Sequence, residues 1–471
     1  MIGELRPYPE MKASNLPWLG DVPTHWDVRR IKTLLREVDS RTKTGEERLL
    51  SLRMRQGLVD HVDAGGKLIP PEALVSYKIV EPGQVVMNRM RAAAGLFGVA
   101  TVRGLVSPDY AVFEPRHDAS NPYLLQAFRL PSLSAVFRAE SKGLGTGESG
   151  FLRLYTDRFG PIPVPYPPLD EQRLIVRFLD WHGGKTAKLI RVKKKIIELL
   201  NEQKQAIIHR AITRGFNLNV KLKPSGVPWL GDVPEGWEVA ALRHRYDQCL
   251  GKMLDTKRIT GAHLLPYLRN TDVQWERINV ANLPMMDVPP GEYERYCVRL
   301  GDLLVCEGGE VGRSAIWSNA LELCAFQKAL HRLRPRNRSR DDPRFLLLQL
   351  RLAVALGAFV DGHESTIAHL TGEKLRAHRF LFPSFVEQQR IVDEIDRQSL
   401  EINNTIDRVE REIALIQEFR ARLISDAVTG KLDVRTVASG LPEINEVEPI
   451  DDLAEEEDLD EAADENEEIA A

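Results

Sequence analysis

Four stretches of the sequence contain residue types found in catalytic sites, but each lacks a part that the chemistry needs. Gly183-Gly184-Lys185-Thr186 ends like a phosphate-binding loop, yet Leu179 occupies the position of that motif's first glycine. Asn121-Pro122-Tyr123 lacks the second proline of the amino-methyltransferase motif Asn-Pro-Pro-Tyr. Pro108-Asp109 could open a nuclease signature, but the next acid is not followed by the required lysine. The glycine-rich residues 143–150 follow no strand of the dinucleotide-binding pattern. We therefore predict no enzymatic activity in this chain alone.

Metal and membrane chemistry are also not indicated. Cys249, Cys297, Cys306 and Cys324 form no CxxC pair, which favours reduced, buried thiols over a zinc site or a disulfide framework. The histidines show no HExxH pattern. The N-terminus lacks the pattern of a secretory signal, and no apolar run approaches the roughly 18 residues that span a bilayer. We expect a soluble, cytoplasmic protein.

The formal net charge of −4 conceals two oppositely charged parts. Residues 441–471 contain 15 Asp and Glu and no Lys or Arg, which leaves 64 basic and 53 acidic residues elsewhere, a net charge of +11. A basic body with a separate acidic tail suits a protein that binds a polyanion. The acidic segment has too little apolar surface to fold, so we predict that it is disordered.

The elements that must position any functional residues are organised as a tandem repeat. Residues 14–28 return as residues 225–239, with ten of fifteen positions identical at an offset of 211. Later in each half the offset is 216: Glu171-Gln172 corresponds to Glu387-Gln388. The two halves differ in most side chains across the middle. Each half is therefore one variable segment followed by one regular segment.

The regular segments have the pattern of long helices. Residues 387–428 contain no Pro or Gly, and their apolar residues recur in steps of three and four, as in a coiled coil. A helix of that length would be roughly 60 Å long. The first copy, residues 169–213, has a similar stripe, interrupted by Gly183-Gly184, where we expect a bend. We expect the two apolar stripes to pack against each other.

This organisation resembles the specificity subunits of type I restriction–modification systems. The residues that carry the resemblance are the two openings at Trp18 and Trp229, residues 107–113 and 326–335, the Glu-Gln-Arg entry to the first helix, and the ending at residues 427–434. Together they cover roughly residues 8–436. The resemblance implies an α+β fold with two α/β-type target-recognition domains, separated by two long helices that form an antiparallel coiled coil in a pseudo-twofold tandem repeat.

The domain boundaries that we predict follow the repeat. They are residues 1–168 for target-recognition domain 1, 169–215 for helical spacer 1, 216–383 for target-recognition domain 2, 384–432 for helical spacer 2, and 433–471 for a disordered acidic tail.

The resemblance also implies a function and partners. The chain would be a non-catalytic subunit that recognises a bipartite, asymmetric site in double-stranded DNA. Its helical segments would dock two methyltransferase subunits, and motor–nuclease restriction subunits would complete the complex. S-adenosylmethionine would be bound by the methyltransferase subunits, and this chain would hold no cofactor or metal.

Within the two target domains, candidates for DNA contact are basic and polar residues in loop-like or glycine-rich stretches. Glycine lets the backbone approach phosphate closely, and Arg or Lys can contact guanine edges or phosphates. The candidates are Arg53, Arg55, Arg89, Arg91, Lys142 and Ser149 in the first domain, and Arg269, Asn270, Arg313, Lys328, His363 and Ser365 in the second.

Several alternative interpretations stay open. Any one of these candidates could be an ordinary turn or solvated residue. The pairs at matching offsets, Glu148-Ser149 and Glu364-Ser365, could be helix caps. We expect the four repeated tryptophans to be packing residues rather than platforms that stack on bases. They are Trp18, Trp26, Trp229 and Trp237. The chain could instead be a coiled-coil interaction protein whose globular ends bind other proteins, or a single-chain enzyme that modifies DNA. The second alternative needs a catalytic motif, and the sequence shows none.

Overall fold

The chain folds into two compact units in the computed structural model. The structure describes residues 5–54, 56–116, 119–144, 151–217, 219–254, 261–359 and 369–442. The first unit comprises residues 1–195 and 409–471, and the second comprises residues 196–408. Each unit therefore contains one predicted target-recognition domain together with parts of both long helices.

The centre of the first unit is a four-stranded antiparallel sheet. Buried apolar runs such as Val85-Val86-Met87 form its inner strands, because a strand covered on both faces needs no polar alternation. One face packs on a core that includes Phe97, Phe128 and Phe159. In spatial order, the strands are Leu35–Val38, Ala111–Pro115, Val85–Met87 and Phe97–Val99.

The rest of the first unit consists of antiparallel strand pairs and short helices. The pairs are Met11–Ala13 with Asp21–Pro23, Asp27–Arg30 with Pro163–Tyr166, Leu50–Arg53 with Gly57–Asp60, Lys78–Val80 with Gly104–Val106, and Lys142–Leu144 with Phe151–Arg153. The short helices are Ile31–Leu34, Pro71–Leu74, Asn121–Phe128, Pro131–Glu140, Thr156–Phe159 and Arg435–Ser439, and a 3-10 turn spans Ala92–Ala94.

The second unit has a central sheet of the same order and direction. Its strands are Tyr246–Leu250, Leu330–Pro335, Leu303–Cys306 and Ser314–Ile316. A smaller sheet joins Met285–Asp287, Leu264–Leu268 and Ala325–Phe326. The described part of the unit also contains three further strand pairs and several helices. The pairs are Leu222–Pro224 with Asp232–Pro234, Glu238–Ala241 with Arg379–Phe382, and Val273–Gln274 with Arg277–Ile278. The helices are Tyr293–Tyr296, Pro343–Ala355 and Gly372–Ala377, and 3-10 turns span Leu242–His244, Asn270–Asp272 and Pro290–Glu292.

Strand register identifies equivalent positions in the two units. Val85 pairs with Phe113 in the first sheet, as Leu303 pairs with Leu333 in the second. The turn before this strand has a left-handed glycine in both units, Gly83 at φ 85° and Gly301 at φ 83°. The repeat that the sequence shows therefore corresponds to a repeated fold in the two units, including their central sheets.

Two long helices follow the variable segments, at Leu169–Arg214 and Phe385–Val428. Within the first unit, Lys193 pairs with Glu412, and a Cβ placed on Gly183 would lie 3.7 Å from Arg420. The helices therefore run in opposite directions there. The first helix continues through Gly183-Gly184, because intrahelical hydrogen bonding offsets the modest cost of two glycines.

The entry to each long helix is held by an equivalent glutamine. Gln172 accepts a hydrogen bond from the Ser120 amide at 3.1 Å and donates to the Pro167 carbonyl at 2.8 Å. Gln388 accepts from the Asp342 amide at 2.9 Å and donates to the Pro383 carbonyl at 2.9 Å. The repeated Glu-Gln pair thus joins each long helix to the short helix that begins beside it.

The folded chain extends beyond the predicted start of the disordered tail at residue 433. Residues 435–439 form a helix, and Val434, Ala438 and Leu441 are buried in the core of the first unit. The Asp433 amide also donates to the Arg6 carbonyl at 2.8 Å. Residues 433–442 depart from our expectation because they supply apolar side chains to this core, whereas the acidic residues begin at Glu443, outside the described residues.

Candidate functional site

Three of the predicted contact residues in the second unit, Arg269, Asn270 and Arg313, lie on two neighbouring segments. The Arg313 guanidinium donates to the Asn270 carbonyl at 2.9 Å and to Glu310 at 3.2 Å. A Cβ placed on Gly309 would lie 3.5 Å from the Asn270 side-chain amide. The structure therefore brings Arg269, Asn270, Gly309 and Arg313 together at the end of the Leu303–Cys306 strand.

Arg269 is held in place by Asp272. Its guanidinium donates two hydrogen bonds to the carboxylate, at 2.9 and 2.8 Å. Burial of Asp272 opposes its ionisation, but hydrogen bonds from the Arg269 side chain and amide outweigh that effect and lower the pKa of this carboxyl. The Arg269 side chain nevertheless stays partly exposed, so one face of the guanidinium can contact a further acceptor.

In the first unit, Arg89 and Arg91 follow the equivalent strand. Arg89 is mostly buried and donates to Glu37 at 3.0 Å. Arg91 is half-buried, and its amide donates to the buried Asn88 side chain at 3.2 Å. These two arginines lie where the second unit has Glu307 and Gly309, so the same backbone position carries different chemistry in the two units.

Arg53 differs from the other candidates because its side chain is buried. It is 3% exposed, and its guanidinium donates to the Ala64 carbonyl at 3.3 Å. This arrangement stabilises the turn after the Gly57–Asp60 strand and argues against a direct contact between Arg53 and DNA.

Lys142 and Lys328 are exposed. Lys142 lies on a hairpin opposite Arg153, and this hairpin flanks the glycine-rich stretch. The Lys328 amide donates to the Lys252 carbonyl at 3.0 Å, and the preceding Gln327 amide donates to the Leu268 carbonyl at 2.9 Å, so Lys328 follows the segment that pairs with the strand before Arg269. The candidates Arg55, Ser149, His363 and Ser365 lie outside the described residues.

Two residues that sequence reasoning missed lie beside these segments. Arg153 approaches the Met90 sulfur at 4.0 Å and Asp109 at 3.5 Å. His369 lies against Gly308, where an added Cβ would be 3.2 Å from the imidazole. The repeat offset of 216 relates these two positions, and that signal was available in the sequence. Only the folded structure shows that Arg153 and His369 lie beside the segments that contain the other candidates.

Two of the stretches that resemble catalytic motifs have structural roles. Tyr123 is fully buried and donates to the Pro165 and Val428 carbonyls. Gly183 to Thr186 are helical, so they cannot form a phosphate-binding loop. Trp26 and Trp237 lie in hydrophobic cores, where Trp18 and Trp229 also pack.

The described residues contain no group of three or more His, Cys, Asp or Glu that could hold a metal ion. Cys297, Cys306 and Cys324 are buried free thiols, and burial raises the pKa of each. No described helix is long and apolar enough to cross a membrane.

Comparison with known protein families identifies a matching domain. Residues 76–200 match the model described as the type I restriction modification DNA specificity domain. A curated relative, the specificity subunit of the type I restriction enzyme MjaVIII from Methanocaldococcus jannaschii, is 28% identical over 153 residues. That match covers 32% of this chain and 32% of the relative.

Two solved structures share the fold over most of the chain. One comes from a study of complex assembly and conformational transition of the type I R-M system. It has a TM-score of 0.67 at 17% identity and covers 86% of this chain and 98% of that one. The other is the HsdS subunit from Thermoanaerobacter tengcongensis, with a TM-score of 0.52 at 17% identity, covering 87% of this chain and 98% of that one. Residues 76–200 of this chain therefore match a type I restriction modification DNA specificity domain, and the fold of the chain is similar to that of the HsdS subunit.

Proposed function

We propose that this chain is the non-catalytic, sequence-specific DNA-binding subunit of a type I restriction–modification complex. In this proposal each unit recognises one half of a bipartite, asymmetric site in double-stranded DNA. The observation that carries it is the repeated sheet, which presents different side chains at equivalent positions. Two similar scaffolds with different surfaces are suited to two different half-sites.

The long helices would connect the two recognition units and dock the partner subunits. We propose that they form an antiparallel coiled coil with pseudo-twofold symmetry, which would set the distance between the half-sites. The opposite helix directions within the first unit support this arrangement. In the second unit, Lys204 contacts Asn403 at 3.0 Å, and Ile208 and Ile212 share a core with Ile391 and Ile395.

The catalytic partners in this proposal are two methyltransferase subunits, which would bind S-adenosylmethionine, and motor–nuclease subunits. This chain would supply recognition and docking only. The match of residues 76–200 to the specificity domain supports the assignment, and the structural roles of Tyr123 and of residues 183–186 agree with it.

The proposal is tested by mapping methylated adenines across the genome in cells with and without this gene, with the methyltransferase partner present. We expect methylation at one split, asymmetric motif to disappear when the gene is removed. An unchanged methylation pattern, despite good expression and an active methyltransferase, would contradict the proposed specificity role.

An exchange of variable segments tests whether each unit recognises one half of the DNA site independently. Replacing residues 240–378 with the equivalent segment of a relative that recognises a different site should change one half of the methylated motif and keep the other. The control chain carries the same relative's segment in place of residues 29–162. Changes in both halves after a single exchange would contradict independent recognition by the two units.

A further inference from the structure

Two accessible side chains of different chemistry occupy equivalent positions in the two units. Arg153 in the first unit and His369 in the second are related by the repeat offset of 216. Each directly precedes a buried leucine, Leu154 or Leu370. The Leu154 amide donates to the Arg89 carbonyl at 2.9 Å, and the Leu370 amide donates to the Glu307 carbonyl at 2.8 Å. The same hydrogen bond therefore fixes the backbone next to both residues.

Both side chains also lie against the same position of the central sheet's hairpin. Arg153 approaches the sulfur of Met90, and His369 lies beside Gly308. Strand register makes Met90 and Gly308 equivalent, because Val85 and Leu303 occupy the same place in the two sheets. A Cβ at position 308 would lie 3.2 Å from the imidazole, so any other residue there would crowd the ring of His369.

The surroundings of the two residues differ in charge. Asp109 lies 3.5 Å from the Arg153 guanidinium and restrains it, whereas the equivalent position in the second unit is Ala329. Arg89 in the first unit is replaced by Glu307 in the second. Both Arg153 and His369 remain accessible, with 42% of the Arg153 side chain exposed.

We propose that Arg153 and His369 are specificity-determining residues, each contacting one base pair in a different half of the DNA site. This inference rests on the proposed function and names two residues that carry it out. An arginine held on a fixed backbone can donate two hydrogen bonds to the O6 and N7 atoms of guanine. An imidazole has one donor and one acceptor when neutral, so it favours a different base edge. The two half-sites would therefore differ at this position.

The experiment uses the full-length chain with its methyltransferase partner and compares the methylated motif of the wild type with that of three variants. R153Q should relax one position in one half-site, with a roughly ten- to hundredfold loss of preference for guanine there. H369Q should relax one position in the other half-site. H369R should shift that second position toward guanine.

Matched controls are R158Q and R376Q. Each removes an exposed cation from the same unit, a few residues beyond Arg153 or His369, and should leave the motif unchanged. Thermal unfolding of every variant identifies those that fail because they do not fold, and a variant that unfolds early is replaced by R153K or H369N.

The outcomes separate the two proposals. If the wild-type chain directs no methylation motif, the proposed function fails. If the wild-type motif is present and folded R153Q and H369Q give the same motif, this inference fails while the proposed function stands. Relaxation of both half-sites by a single variant would also overturn the inference, because each residue would then act on the whole complex.

Discussion

At the scale of single residues, the candidates for DNA contact differ in whether protein groups already accept hydrogen bonds from their side chains. Arg313 and Arg89 are held by protein acceptors and are largely buried, so they position the backbone around them. Lys142 and Lys328 are exposed. A compact, strongly hydrated ammonium on a flexible stem suits contact with phosphate more than recognition of a base edge.

Replacing Lys142 by glutamine should therefore weaken binding to all duplex sequences similarly. Each phosphate contact releases counterions, so the slope of log affinity against log salt should become shallower by about 0.9. The measurement is a salt titration of fluorescence anisotropy with specific and random duplexes. Lys12→Gln, an exposed lysine on the Met11–Ala13 strand, is the control. A loss confined to one sequence would show that Lys142 contacts a base instead.

His378 makes the stability of the second unit depend on pH. Its ring packs against Trp229, Phe359 and Phe380, with centroids 5.6, 4.8 and 4.9 Å away. Burial lowers the pKa of His378 to about 4. Because the unfolded chain has a His pKa near 6.5, it binds more protons between these values. The stabilisation from the neutral ring is therefore present above about pH 6.5 and lost as the pH falls toward 4.

His378→Phe should consequently flatten the acid side of the stability profile. Urea unfolding between pH 4.5 and 8 measures this, with the exposed His244→Phe as the control. Equal loss of stability toward low pH in the wild type and His378→Phe would mean that other groups cause it.

At the scale of elements, the first long helix continues without interruption through two glycines, Gly183 and Gly184. Gly184 is exposed, and an added Cβ would meet nothing within 4 Å. Gly430, just after the second helix, has φ 76°, and a Cβ there would lie 2.3 Å from Pro23. Glycine at position 184 therefore destabilises the helix and can be replaced, whereas the backbone at position 430 requires glycine.

Gly184→Ala should raise the free energy of unfolding by roughly 0.5–1 kcal/mol, because alanine loses less conformational entropy in a helix. Gly430→Ala should lower it by more than that. Both changes in the free energy of unfolding are measured by chemical denaturation, from the unfolding transition of the first unit. Destabilisation by Gly184→Ala would indicate that the helix needs flexibility at this point.

At the scale of the whole molecule, charge is distributed unevenly. Residues 1–195 and 409–442 carry 35 basic and 26 acidic residues, whereas residues 196–408 carry 29 and 27. The acidic residues 443–471 follow directly after the more basic unit. Their charge lowers the attraction of the chain for any polyanion, because electrostatic potentials sum over the surface.

Replacing the 15 acidic residues of this segment with Asn and Gln would change the formal net charge from −4 to +11. Affinity for random duplex DNA at low salt should rise on the order of tenfold, with the methylated motif unchanged. Filter binding with a random duplex gives the affinity, and methylation mapping gives the motif. The control is a chain with the same number of Ser→Asn or Ala→Gln changes elsewhere on its surface. Its affinity for random duplex DNA and its methylated motif should not change. A changed motif would assign the tail a part in recognition.

The sequence by itself determined the tandem repeat, both long helices to within a few residues, and the resemblance to type I specificity subunits. Periodic apolar residues and matched offsets are local patterns, and they survive in a single sequence. It did not show that residues 433–442 complete a core or that Arg53 is buried. Nor did it show that Arg153 and His369 lie beside the Met90 and Gly308 hairpins. Those facts depend on contacts between residues far apart in the chain, and only the packing of the folded units decides which distant side chains meet.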